Sequence, residues 1–341
     1  MSRADYERRM AQRREEVQRL SPAALREHRR LAPPVEAAVL VTVGVAASGA
    51  LTALWSTPAG REAMRARTVG QGGAIFPDAR TTGGATVYVT TQTSESTVVT
   101  ALEDPGIAHP IVQALSDGGL LLAGARCRWN ADTGAQHNAV VYDAEGSVVR
   151  TGTLGDGINR IVVTPTDRIW VGYFDEGVIG NYGWGRNGTP EPIGASGLLA
   201  FDLQLQPEWR YRSPENIGPI TDCYALNAVD ETVWASYYTD FPIVSVADGQ
   251  VTAWNNQITG AAHLLVAPDH TMALVGGSPG QGNRISAGRL GPSSFDVTNQ
   301  YRLTMPDGSE PPRETHLIGR GQSLHAIVND RWYRLDLDTL I

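Results

Sequence analysis

Short apolar runs of five to seven residues, separated by turn residues, recur along most of this chain. They come in pairs, as in residues 160–172, where an apolar run, a Pro-Thr-Asp turn and a second run containing Trp170 follow one another. Weaker copies occur at residues 117–126, 230–239, 268–277 and 320–329. Such runs, bounded by Gly, Pro and Asp, predict strands, and their repetition predicts a repeat architecture made of strands. Residues 2–20 are charged and rich in helix formers. Ser21-Pro22 then offers a cap and a first-turn proline for a helix reaching about Arg30, stopped by Pro33-Pro34.

Residues 35–55 read in three ways. Their length and scarcity of charge meet the requirement for a membrane helix, with arginines ahead of them as an inward-facing flank would need. An export signal is disfavoured by the long acid-containing segment in front. The pattern also divides into a strand at 39–45, a turn at 46–49 and a strand at 50–56. That division places Trp55 where Trp170 falls in its own unit, and we adopt it.

Six units follow on this reading. They pair 38–56 with 85–102, 111–127 with 138–150, 158–175 with 198–212, 223–239 with 243–254, 261–276 with 284–303, and 315–329 with 332–337. Their spacing brackets the 40–50 residues of a propeller blade. The expected fold is all-β: a six-bladed β-propeller over 35–341, preceded by a helical basic arm at 1–34. The last unit lacks an outer strand, and residues 28–35 are the expected donor. Trp170, Trp209, Trp234 and Trp254 recur at equivalent positions and are expected to pack within blades.

Composition narrows the function. The net charge is −8, which argues against duplex nucleic acid as the main partner. Residues 1–34 carry nine arginines against five acids, so the rest of the chain is strongly acidic. All 28 basic residues are arginine, so a phosphate loop that needs lysine is excluded. The two cysteines, Cys127 and Cys223, give no disulfide framework or cysteine-only zinc site. Buried thiols and a cytoplasmic location are expected, the alternative being membrane anchorage through 35–55.

Residues 174–185 (Phe-Asp-Glu-Gly-Val-Ile-Gly-Asn-Tyr-Gly-Trp-Gly), with 197–202 and 222–227, resemble an uncharacterised bacterial group of β-propellers. The characterised six-bladed relatives include calcium-dependent lactonases of the gluconolactonase type and pure binding scaffolds. The resemblance therefore implies the fold and leaves the activity open.

In a propeller, the loops entering the innermost strands gather at one mouth. Here those loops offer His109, His263 and His316 as acid–base candidates, and Asp156, Asn159 and Asp222 as oxygen ligands for a divalent cation such as Ca2+. The loops leaving the same strands carry Arg126, Trp129, Tyr173, Asp175, Tyr182, Trp184, Tyr237 and Asp240, a mixture suited to a small polar ligand or a peptide. Two readings stay open. The preferred one is a binding or interaction module; the other is a metal-dependent hydrolase or lyase.

Overall fold

A computed structural model describes residues 2–341, and its six sheets of four or five strands are the blades of a six-bladed β-propeller. The chain divides into two compact units. The first comprises Ala32–Arg212 and Pro219–Cys223; the second comprises the residues up to Leu31, Ser213–Gly218 and Tyr224–Ile341.

The first unit holds three four-stranded antiparallel sheets. Their strands run in chain order as Val39–Val45, Leu51–Ser56, Val87–Gln92, Thr97–Leu102; Pro110–Ala114, Leu120–Gly124, Ala139–Tyr142, Val148–Gly152; and Ile158–Val163, Ile169–Tyr173, Leu198–Phe201, Pro207–Arg210. Residues 39–56 thus form a hairpin, with Val43 opposite Ala53. Among the described residues, no helix is long and apolar enough to cross a membrane. The run looked membrane-like because the strand Leu51–Ser56 is buried at every residue, and a strand covered on both faces carries no alternation.

Inner strands of the first two sheets meet closely, and Gly44 permits the approach. A Cβ there would lie 2.0 Å from the Val112 carbonyl oxygen, and backbone cannot yield as a flexible side-chain end can. Gly44→Ala is expected to destabilise the protein by about 1–3 kcal/mol or more, read from the midpoint of a urea denaturation curve.

The second unit holds the other three sheets. The strand Asp222–Val229, all but its first two residues, pairs onward with Thr232–Tyr238, Ile243–Ala247 and Gln250–Trp254. Next come Ala261–Val266, Thr271–Gly276, Arg284–Leu290 and Phe295–Thr304, then His316–Arg320, Ser323–Val328 and Arg331–Asp336. Trp234 stacks on Trp254 at 5.6 Å, as Trp170 meets Trp209 at 5.1 Å in the first unit, so these tryptophans do pack within their blades.

The N-terminal segment departs from expectation. The helix spans Arg3–Gln18, opened by a capping box between Ser2 and Asp5, but Ser21–Arg30 is not helical. Ser21–Ala24 adds a parallel strand beside Phe295–Thr304, and Arg26–Arg30 pairs antiparallel with Arg331–Asp336 as the missing outer strand. The donor begins two residues earlier than the expected 28–35. Two open sheet edges offer ladder hydrogen bonds at every other residue, and they outweigh a local helix signal. Between and after these strands, Leu25 and Leu31 are each 1% exposed, so the segment is also pinned by its own apolar side chains.

Candidate functional site

In the first unit, the strand ending at Gly124 leads into Arg126, whose side chain is buried. Its guanidinium lies 3.0 Å from the Asp156 carboxylate and 2.6 Å from that of Glu176. Tyr182 faces it at 4.1 Å and Phe174 at 5.2 Å. Asp156 also accepts from the Cys127 amide at 2.8 Å. Burial nevertheless pushes the Asp156 carboxyl up to about 6, with Arg126 opposing the rise. The short helix Asp175–Ile179 that carries Glu176 docks against Gly157, where φ is +68° and a Cβ would meet the Gly177 amide nitrogen at 2.3 Å. Only glycine fits there.

The loop beyond that helix is fastened from several sides. The Trp184 indole donates to the Cys127 carbonyl at 2.9 Å, the Tyr182 hydroxyl donates to the Pro77 carbonyl, and the Trp129 amide donates to the Tyr182 carbonyl at 2.9 Å. Tyr173 is fully buried, its hydroxyl donating to the Leu154 carbonyl. Arg126, Tyr173, Tyr182 and Trp184 are therefore engaged with the protein itself. Trp129 remains half-buried, and Asp175 is exposed. The exposed Arg128 guanidinium lies over the outer face of Tyr182 at 4.8 Å.

Of the expected oxygen ligands, Asp156 and Asn159 have protein partners as well. The Asn159 side chain donates to the Cys223 carbonyl at 2.7 Å. Burial raises the Asp222 carboxyl from its ordinary value, Asp175 adds to the rise and Arg160 opposes it. His109 bonds the Ala66 carbonyl at 2.9 Å. In the second unit His263 and His316 sit half-buried on the first strands of their sheets. Among the described residues, no three His, Cys, Asp or Glu side chains are grouped so as to hold a metal ion. Among the described residues neither Cys127 nor Cys223 is in a disulfide; both are buried, and burial pushes both thiols up to about 12, far from the reactive range.

The Asp156 environment sets a pH dependence opposite to that of an ordinary carboxylate. Its folded value of about 6 exceeds the unperturbed 3.8, so the folded state holds the proton more tightly than the unfolded chain. The resulting stabilisation is complete below about pH 4 and is lost as pH rises through about 6. Wild type is expected to gain about 1 kcal/mol between pH 7 and pH 5 relative to Asp156→Asn. Paired denaturant melts at the two pH values check this.

The second unit holds an open cleft of about 310 Å³. Three segments line it: the turn Asn216-Ile217-Gly218 as one wall, Asp240 with Pro242 as a second, and Asn255-Asn256-Gln257, called its floor below. Asn256 is buried and ties floor to wall. Its amide donates to the carbonyls of Phe241 and Ile258 at 3.0 and 2.9 Å, and its oxygen accepts from the Ile258 amide at 2.9 Å. The Asp240 wall is braced by Phe241, which packs between Tyr224 and Tyr238 at ring distances of 5.3 and 5.7 Å. The Asn216 wall is held by the buried Tyr237, whose hydroxyl donates to the Gly218 carbonyl at 3.1 Å.

Asn216, Asp240 and Phe241 all adopt positive φ, at 65°, 63° and 54°. Asn and Asp tolerate that region, but a bulky aromatic rarely does. Against this fixed frame, the side chains of Asn216, Asp240, Asn255 and Gln257 are exposed and make no hydrogen bond among the described residues. Of the eight residues read from sequence as ligand-binding, Asp240 lines this cleft and Tyr237 supports it from behind. The floor was missed, although three consecutive amides after Trp254 were its signal.

The YxzG family model matches residues 211–273, a stretch that contains every residue lining the cleft. No curated protein matches the sequence. Among solved structures, the chain is similar to apo AztD from Citrobacter koseri, at 13% identity over 88% of this chain and 84% of that one, with a TM-score of 0.42. It is similar to U3-55K, at 10% identity over 93% of this chain and 100% of that one, with a TM-score of 0.44. A third is the β-propeller domain of Myceliophteria thermophila Cps50 (Swd1), at 11% identity over 74% and 84% and a TM-score of 0.40.

Proposed function

We propose that this protein is a binding module that takes a small polar ligand into the cleft between Asn216, Asp240 and Asn255. The observation that carries this reading is the contrast between frame and lining. Buried Asn256, the Tyr224–Phe241–Tyr238 ring cluster and three residues at positive φ fix the walls, while the groups aimed at solvent are left without protein partners. Strained backbone persists where the surroundings over-determine it, and it concentrates at ligand sites. Frames of this kind lower the ordering cost of binding. At about 310 Å³ the cleft matches the small end of ligand pockets.

A cleft-filling variant tests the assignment. Asn255 is exposed, and its backbone N–H and C=O already bond Ser293 and Phe295, so Asn255→Trp leaves the fold intact while its ring occupies the floor. Any compound that raises the melting temperature of wild type is expected to lose that effect in Asn255→Trp, with the ligand-free melting point within a few degrees of wild type. A full shift retained in the variant places the ligand elsewhere and defeats the reading.

A further inference from the structure

The lining chemistry narrows the ligand class, and this step rests on the cleft being the binding site. We infer that the cleft selects a neutral, polyhydroxylated compound of saccharide type, over anions, amines and peptides. Each amide of Asn216, Asn255 and Gln257 presents two N–H donors and an oxygen with two lone pairs, and the Asp240 carboxylate only accepts. A hydroxyl group both donates and accepts, so neighbouring hydroxyls satisfy a carboxylate and an amide at once.

An anionic ligand meets the opposite situation. No Arg or His is among the cleft-lining residues, so a phosphate or carboxylate would face Asp240 with no cation to offset the repulsion. An amine would pair with Asp240 and leave the three amides without matching acceptors. One way a peptide binds a sheet protein is by adding a strand to an open edge. At the cleft floor the Asn255 amide already donates to Ser293 and its carbonyl accepts from Phe295, so that mode is closed. The remaining match is a compound rich in hydroxyls and of one- or two-ring size.

Calorimetric titration of the full chain with four probes separates the classes: a neutral disaccharide, the matching uronic acid, a neutral dipeptide and a primary alkylamine. Expected is saturable binding of the disaccharide, weakened about tenfold by Asp240→Asn and by Asn255→Ala, and no binding of the other three. If the uronate, dipeptide or amine binds instead, with the same sensitivity to Asn255→Ala, the class is wrong while the cleft stands as a site. If no probe shows binding that depends on Asp240 or Asn255, the inference is overturned. The cleft itself is then judged by the thermal shifts of the Asn255→Trp variant across a broader compound set.

Discussion

Arg126→Ala is expected to destabilise the first unit by about 3–5 kcal/mol. The substitution removes the cation and leaves Asp156, with Glu176 beside it, buried against apolar walls. An uncompensated buried charge costs far more than the pair contributed, because desolvation is then no longer offset. It also empties the space between Phe174 and Tyr182, whose rings hold the guanidinium at 5.2 and 4.1 Å. Chemical denaturation measures the loss, and two companions separate its causes. Arg126→Met with Asp156→Leu removes the fully buried pair, leaving only the part-exposed Glu176, and is expected to recover most of the stability. Arg126→Ala at pH 5, where Asp156 is largely protonated, is expected to be less damaging than at pH 7. An Arg126→Ala protein as stable as wild type would mean that the buried network does not organise this unit.

Deletion of the residues before Ala32 is the other large effect expected. It strips the outer strand from the last sheet and the parallel strand from the sheet before it, exposing two open edges. It also removes Ala23 and Leu25 from the core that includes Leu265, Leu303 and Tyr333, and the loss of one such leucine alone costs about 2–5 kcal/mol. The truncated chain is expected to aggregate, or to show cooperative unfolding of the first unit only, by size-exclusion chromatography and calorimetry. Leu25→Ala gives the graded version, a loss of about 2–5 kcal/mol with the strands in place. Removing only the helix Arg3–Gln18 is expected to be mild, since Val17 is its one buried residue.

The six sheets were legible because paired apolar runs with a tryptophan at a fixed place repeat through the chain. Trp55 mattered most, since its equivalence to Trp170 turned a membrane-like stretch into a hairpin. Ser21–Arg30 was misread because a Ser-Pro start is a sound local helix signal, and nothing local reveals two sheet edges awaiting strands. The aromatic-rich loop was recognisable as special, but not its direction. Tyr182 covers a buried arginine and Trp184 bonds the Cys127 carbonyl, and a sequence does not state whether an arginine faces solvent or another part of its own chain. The cleft floor escaped notice because Asn and Gln beside a strand end look like ordinary turn formers. That the side chains of Asn255 and Gln257 face away from any protein partner while Asn256 is tied inward shows only in three dimensions.

Entry of ligand between Asn216, Asp240 and Asn255 is tested most directly by a crystal structure grown with a neutral disaccharide. Density for the sugar across that cleft, with hydroxyls on the Asp240 carboxylate and the Asn255 amide, is the predicted result. An empty cleft with sugar seated in the first unit beside Arg128 and Trp129 would contradict it.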